Sequence, residues 1–209
     1  MKAASLYEDL FVALCRHMAD ERPERTGDIT REIKRFFRQH YQFPHHVHCF
    51  HESGSEYMTD VLVTSFDPKR LVEDRTLKIV PSSLDAYLAV ESELGGVGAS
   101  SAYGVMKNVV EDYVKLLLMR ATYRIMIFTS LPYSKEQDHV ANRVETLRGL
   151  YCRAPDLMSG VLLVHLEGSQ PRSTQVQASF GTGKARGFVI SEDGLSIKQL
   201  GTNQSETAA

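Results

Sequence analysis

The sequence has no tryptophan, three cysteines in 209 residues and almost no net charge. The cysteines (Cys15, Cys49 and Cys152) are odd in number, widely separated and free of any CxxC pair, which excludes a disulfide-rich secreted protein and predicts three reduced thiols. The formal net charge of −2 excludes a histone-like protein whose affinity for nucleic acid comes from bulk charge. It does not exclude an enzyme that concentrates positive charge in one groove.

Long apolar runs are also absent. Wholly apolar stretches such as residues 61–63 and 116–119 are far shorter than the roughly 18 residues that a membrane-spanning helix requires. The first residues, MKAASLYEDLF, include a lysine, but acidic residues follow at once and there is no apolar h-region. We therefore expect no membrane span, no signal peptide and a cytoplasmic protein.

Hydrophobic spacing predicts helices and strands in mixed order, which is typical of an α/β fold with a mixed central sheet flanked by helices. Residues 1–200 are expected to form a single domain. Residues 201–209, with the sequence GTNQSETAA, are expected to form a disordered tail. The predicted helices are 5–20, 29–41, 102–120 and 135–151. The predicted strands are 46–51, 57–66, 86–94, 123–129, 160–166 and a last pair around a turn at 181–184.

Three carboxylates lie inside segments that otherwise read as strands. Asp60 follows Tyr57-Met58-Thr59 and precedes an apolar run, while Glu91 and Glu93 lie near the end of an apolar strand. Acidic residues are depleted in strands, and a half-buried carboxylate is unfavourable unless something compensates its charge. Because side chains alternate along a strand, Glu91 and Glu93 should share one face, about 6.6 Å apart. If the two strands are neighbours, Asp60 can join them, and a hard divalent cation would relieve the repulsion.

A less specific interpretation is also open. Each acid taken alone could be an edge-strand residue that points to solvent. Lys107, Glu111 and Lys115 repeat every four residues on the helix that follows, which is typical of solvated charges that pair along a helix surface.

The order of these features resembles the PD-(D/E)XK, or restriction-endonuclease-like, nuclease superfamily, over about residues 28–130. A helix with a glutamate (Glu32) precedes a hairpin whose second strand carries Asp60. A strand ending in Glu-x-Glu, a long helix and a buried strand follow. The resemblance implies the restriction-endonuclease-like fold.

The resemblance also implies a set of site residues. The metal-binding aspartate of the superfamily falls on Asp60, and its second metal acid falls on Glu91. The catalytic lysine falls on Glu93, so this chain has Glu-x-Glu in place of Glu-x-Lys. Some members take the lysine from the following helix, where Lys107 and Lys115 are the candidates.

The chemistry implied is phosphodiester hydrolysis assisted by Mg²⁺ or Mn²⁺, with a nucleic acid, in the first place DNA, as substrate. Asp60 and Glu91 would bind the ion, and Glu93 or a helix lysine would orient or deprotonate the attacking water. Homodimers are common among such proteins, although no dimer face can be read from the sequence. The alternative is a non-catalytic member of the same fold that binds nucleic acid or protein.

Overall fold

The computed structural model describes residues 3–49, 58–67, 70–73, 75–79, 83–95, 101–133, 135–154, 157, 159–167 and 184–201. Within these ranges the chain forms four helices and seven strands. The helices are α1 (Ala3–Glu21), α2 (Thr26–His40), α3 (Ala102–Leu118) and α4 (His139–Tyr151). The strands are β1 (His46–His48), β2 (Val61–Thr64), β3 (Ala86–Glu93), β4 (Ala121–Ser130), β5 (Val161–Glu167), β6 (Arg186–Ile190) and β7 (Ile197–Leu200).

The strands form one mixed sheet in the order β1-β2-β3-β4-β5-β6-β7. The three central strands β3, β4 and β5 are parallel, and the other neighbouring pairs are antiparallel. Parallel neighbours need a long crossover, which α3 provides between β3 and β4 and α4 provides between β4 and β5. The carboxyl ends of the three central strands therefore meet at one edge of the sheet.

Helices cover both faces of the sheet. One apolar cluster joins α1 and α2 to side chains such as Val61, Val90 and Ile125, and a second joins α3 and α4 to side chains such as Ala89 and Phe128. Strand β4 is buried on both faces along most of its length. Its almost unbroken apolar sequence thus reflects a sheet with helices on each side, which confirms the predicted mixed α/β class.

The predicted helices and central strands agree with the structure apart from their ends. The two strands of the predicted hairpin correspond to β1 and β2, which are shorter than predicted. The predicted turn at 53–55 lies outside the described residues. Of the predicted tail 201–209, the structure describes only Gly201.

The structure describes one strand of the predicted C-terminal pair, while the other would lie before the turn, at residues outside the described ranges. Strand β6 follows the predicted turn at 181–184, of which 181–183 lie outside the described residues, and it pairs with β5 and with the unpredicted β7. The turn between β6 and β7 is built by polar side chains: Ser191 Oγ donates to Asp193 and Asp193 accepts from Leu195 N. Gly194 completes it with a φ of 70°, a conformation that favours glycine.

Candidate active site

The register of the sheet brings Asp60 and Glu91 together. Val61 pairs with Val90 and Leu62 with Ala89 across antiparallel β2 and β3. Extending this register by one residue places Asp60, which directly precedes β2, opposite Glu91. Such opposed residues have Cα atoms about 4.5–5.5 Å apart. The acids that lie 31 positions apart in sequence are therefore neighbours at the carboxyl edge of β3.

The carboxylate of Asp60 is held on the α2 side of the sheet. Its Oδ2 accepts hydrogen bonds from Ser92 N at 2.9 Å and from Ser92 Oγ at 2.6 Å. Its Oδ1 lies 3.2 Å from Nζ of Lys34, a buried residue of α2. The side chain thus ties the beginning of β2 both to β3 and to α2.

Lys34 is a site residue that the sequence interpretation missed. Lysine is seldom buried unless it is paired, and only 8% of Lys34 is exposed. The pattern of α2 contains a signal for it, because Lys34, Phe37 and Tyr41 recur at i, i+3 and i+7 and so share one stripe of the helix. A lysine on an otherwise apolar stripe predicts a buried carboxylate partner.

Glu91 points to the opposite face, toward α3. Only 4% of the residue is exposed, and its Oε1 lies 3.0 Å from Nζ of Lys115. Lys115 also pairs with Asp112, one helical turn earlier, at 2.9 Å. Burial raises the pKa of Glu91 to about 7, with the nearby charges of Asp60 and Asp112 adding to the effect and Lys115 opposing it.

Lys115 stays protonated at neutral pH. Partial burial lowers the pKa of its ammonium, but the contacts with Asp112 and Glu91 outweigh burial and leave the pKa raised. A protonated ammonium has no free lone pair to accept a proton, so Lys115 is suited to stabilise a negative charge or to orient a water molecule. About half of its side chain is exposed, which leaves the ammonium accessible from solvent.

Glu93 shares the α3 face with Glu91, as strand alternation predicts. Its Oε1 accepts a hydrogen bond from Gly95 N at 3.0 Å. Burial raises the pKa of Glu93; the Gly95 hydrogen bond and one with Asn108 of α3 lower it, and the charges of Asp112 and Asp60 raise it. Glu93 therefore accepts a proton more readily than an ordinary surface glutamate.

Two corrections to the sequence interpretation follow. Only Glu91 and Glu93 project from one face, because the contacts with Ser92 and Lys34 draw the Asp60 carboxylate to the other side of the strand edge. The charges of the acids are also balanced in part by two ammonium groups, so a metal ion is not the only possible compensation. Asp60, Glu91, Glu93 and Asp112 face Lys34 and Lys115, which leaves an excess of two negative charges when all are ionised.

Two other predicted residues lie apart from this cluster. Lys107 pairs with Glu111 at 3.5 Å on the exposed side of α3, where the two side chains are 58% and 62% exposed. This geometry fits the interpretation of Lys107 as a solvated charge on a helix surface. Glu32 pairs with His17 at 3.1 Å and with Arg35 at 3.4 Å, between α1 and α2.

The donor set at the strand edge fits a magnesium ion bound through few protein ligands. Carboxylate oxygens are the ligands that Mg²⁺ prefers, and the ion commonly uses only one or two of them together with water and substrate phosphates. Within the described part of the chain, the buried Oε1 of Glu91 has its 3.0 Å contact with Lys115 but no further hydrogen-bond donor. Across the part of the chain that the structure describes, no three His, Cys, Asp or Glu side chains are grouped closely enough to hold an ion by themselves.

The raised pKa of Glu91 predicts that Glu91→Gln stabilises the metal-free protein at alkaline pH. Because the pKa of the folded chain, about 7, exceeds the ordinary value of 4.5, folding takes up a proton between these limits and stability falls as pH rises through them. The variant avoids this loss, so at pH 8 it should be more stable by about 1–3 kcal/mol. At pH 4 the difference should be small. Urea denaturation in EDTA at both pH values measures it.

Glu111→Gln is the matched control for this measurement, since Glu111 is an exposed glutamate of α3 and its replacement should change the free energy of unfolding little. A Glu91→Gln variant that is less stable than the parent at pH 8 would show that its ion pair with Lys115 outweighs the burial of its charge.

Comparison of the chain with protein-family models, with curated protein sequences and with solved structures finds no match. Among the described residues, no helix combines the length and apolar character needed to span a bilayer. The function of the site therefore has to be argued from its geometry.

Proposed function

We propose that the protein is a divalent-metal-dependent nuclease of the restriction-endonuclease-like fold, and that it hydrolyses phosphodiester bonds in DNA. The observation that carries the proposal is the juxtaposition of Asp60 and Glu91 on neighbouring strands, with Lys115 in contact with Glu91. These are the residue types that metal-assisted phosphodiester hydrolysis requires. The expected Glu-x-Lys motif has its lysine at the position of Glu93. In this chain Lys115, from the helix that follows the acid-bearing strand, would supply that lysine instead.

The order of elements adds support. Helix α2, strands β1, β2 and β3, helix α3 and strand β4 follow one another in the order expected for the nuclease core, and β1 to β4 are neighbours in the sheet. Asp60 lies at the beginning of β2 and Glu91 near the end of β3. Function is nevertheless argued from the side chains, because one fold can carry many activities.

Asp60 would hold the metal ion at the strand edge from the α2 side, and Glu91 would reach the same ion from the α3 side by turning its carboxylate away from Lys115. A carboxylate offers about four lone-pair sites, and among the described residues Ser92 N, Ser92 Oγ and Lys34 take three of those of Asp60, which leaves one for the ion. A bound Mg²⁺ or Mn²⁺ supplies Lewis acidity and lowers the pKa of a coordinated water. The excess of two negative charges in the cluster is the charge that one such ion neutralises.

Glu93 and Lys115 would act on the water and the phosphate. Glu93 is half-buried beside Glu91 with a raised pKa, so it is suited to accept the proton of the attacking water. Lys115 is positively charged and accessible, so it is suited to stabilise the charge that develops on the phosphoryl oxygens.

The direct test is incubation of supercoiled plasmid with the purified protein. Cleavage is expected with Mg²⁺ or Mn²⁺ and should disappear when EDTA is added. A protein that leaves the plasmid intact with either ion contradicts the catalytic proposal for DNA; a parallel reaction with RNA shows whether the substrate class was wrong or the activity is absent.

A non-catalytic member of the same fold is the second candidate. It is favoured by Glu93 at the lysine position of the motif and by the two ion pairs that already engage Asp60 and Glu91. In this case calorimetric titration with Mn²⁺ should give no binding, while binding of DNA or of a protein partner should survive replacement of Glu93 by Ala.

A further inference from the structure

A buried lysine reaches the predicted metal site from the face opposite to Lys115. Lys34 of α2 lies 3.2 Å from Asp60, and only 10% of its side chain is exposed. We propose that Lys34 is a positioning residue of the nuclease site, which acts through Asp60 by limiting its carboxylate to one direction for the metal ion. The inference rests on the proposed function and adds a residue that the superfamily motif does not contain.

The contacts of Asp60 explain how Lys34 can do this. Ser92 donates two hydrogen bonds to Oδ2, so that oxygen is occupied by strand β3. Lys34 takes one of the two lone-pair sites of Oδ1. Counting the contacts that the described residues make with Asp60, one lone-pair site is left, and its direction is set by Ser92 on one side and by Lys34 on the other. Without the ammonium, Oδ1 would offer two directions to an ion.

Burial separates this role from direct contact with substrate. With nine-tenths of its side chain covered, Lys34 has little access to a nucleic acid, unlike Lys115, which is about half exposed. A buried ion pair is also weak evidence of a stabilising role, because replacing both of its partners by hydrophobic residues of similar size often costs little. Replacing Lys34 alone would leave the Asp60 carboxylate without its ammonium, so the test compares metal affinity and cleavage rate rather than stability.

The proposal predicts opposite changes in metal affinity and in rate. The ammonium repels a divalent ion bound to the same carboxylate oxygen, so Lys34→Met should bind Mn²⁺ about twentyfold more tightly, as Coulomb's law gives for about 4.5–5 Å in a water-like dielectric. In Lys34→Met the position of the ion would be less well defined. A displacement of the reacting groups by about 1 Å can lower the rate of the chemical step by about a hundredfold. Cleavage at saturating Mn²⁺ should therefore fall by roughly tenfold to a hundredfold.

The test measures calorimetric Mn²⁺ affinity and the cleavage rate at saturating Mn²⁺ for the parent, Lys34→Met and Lys34→Arg. Lys34→Arg keeps the charge and should restore most of the rate and the parental affinity. Lys107→Met is the matched control, since Lys107 lies on the exposed side of α3, and it should change neither quantity. Tighter binding together with slower cleavage supports the positioning role.

Other outcomes separate the two proposals. A parent protein that binds no Mn²⁺ overturns the nuclease proposal and the Lys34 assignment with it. A parent that binds Mn²⁺ and cleaves, with Lys34→Met unchanged in both respects or weaker in both, overturns only the assignment. If Lys34→Met does not fold, Lys34→Gln takes its place with the same expectations, and if neither folds, Lys34 is a structural residue and the assignment falls.

Discussion

Replacing Asp60 by Asn or Glu91 by Gln is expected to lower metal-dependent cleavage by about 10²–10³-fold, the loss typical when a preorganised electrostatic group is removed. Each change keeps the shape of the side chain and removes one negative charge from the pair that would hold the ion. The rate is measured with plasmid at saturating Mg²⁺, and Mn²⁺ affinity is measured beside it. Both variants should bind the ion more weakly than the parent.

Loss of folding can be separated from loss of chemistry in these variants. Glu91→Gln is expected to gain stability in the absence of metal, so an inactive but more stable protein would locate the defect in the site. Glu111→Gln, an exposed acid on α3, should cleave like the parent. If Asp60→Asn and Glu91→Gln cleave at the parental rate, the assignment of the metal site is wrong.

Replacing Lys115 by Met should also lower cleavage by about 10²–10³-fold, without loss of metal binding. Lys115 is the accessible ammonium next to Glu91, so it can reach a phosphate bound at the ion. Its removal should leave Mn²⁺ affinity equal or higher, because one positive charge near the ion disappears. Single-turnover cleavage and calorimetric titration measure the two quantities.

Lys107→Met, on the solvent side of the same helix, is the control for Lys115→Met and should keep full activity. The reverse result, with Lys107 essential and Lys115 dispensable, would mean that substrate approaches from the exposed side of α3. It would contradict the site geometry proposed for Lys115.

Sequence spacing is sufficient to predict the strand that carries Glu91 and Glu93, whereas Asp60, inside its predicted strand, directly precedes β2 in the structure. The apolar runs around Glu91 and in β4 are long and bounded, and two-residue alternation correctly places Glu91 and Glu93 on one face. The choice between Lys107 and Lys115 could not be made in this way. Both fit the helical repeat, and only the packing of α3 on β3 decides which of them reaches Glu91.

The direction of the Asp60 carboxylate could not be predicted from its strand. Alternation would send it to the α3 face with Leu62, but Asp60 precedes the regular strand and is free of that constraint. Hydrogen bonds from Ser92 and the ammonium of Lys34 decide its orientation instead. These partners come from distant parts of the chain; the pattern of α2 indicates that Lys34 has a buried partner, but no local pattern identifies that partner as Asp60.

The proposed nuclease activity depends on whether a divalent ion binds where Asp60 and Glu91 meet. Crystals grown with Mn²⁺ and measured for anomalous scattering test this directly. We expect one strong anomalous peak, from a Mn²⁺ ion that lies about 2.0–2.3 Å from a carboxylate oxygen of each residue. A map with no peak there at millimolar Mn²⁺, with Lys34 and Lys115 still paired to the two acids, would contradict the proposed activity.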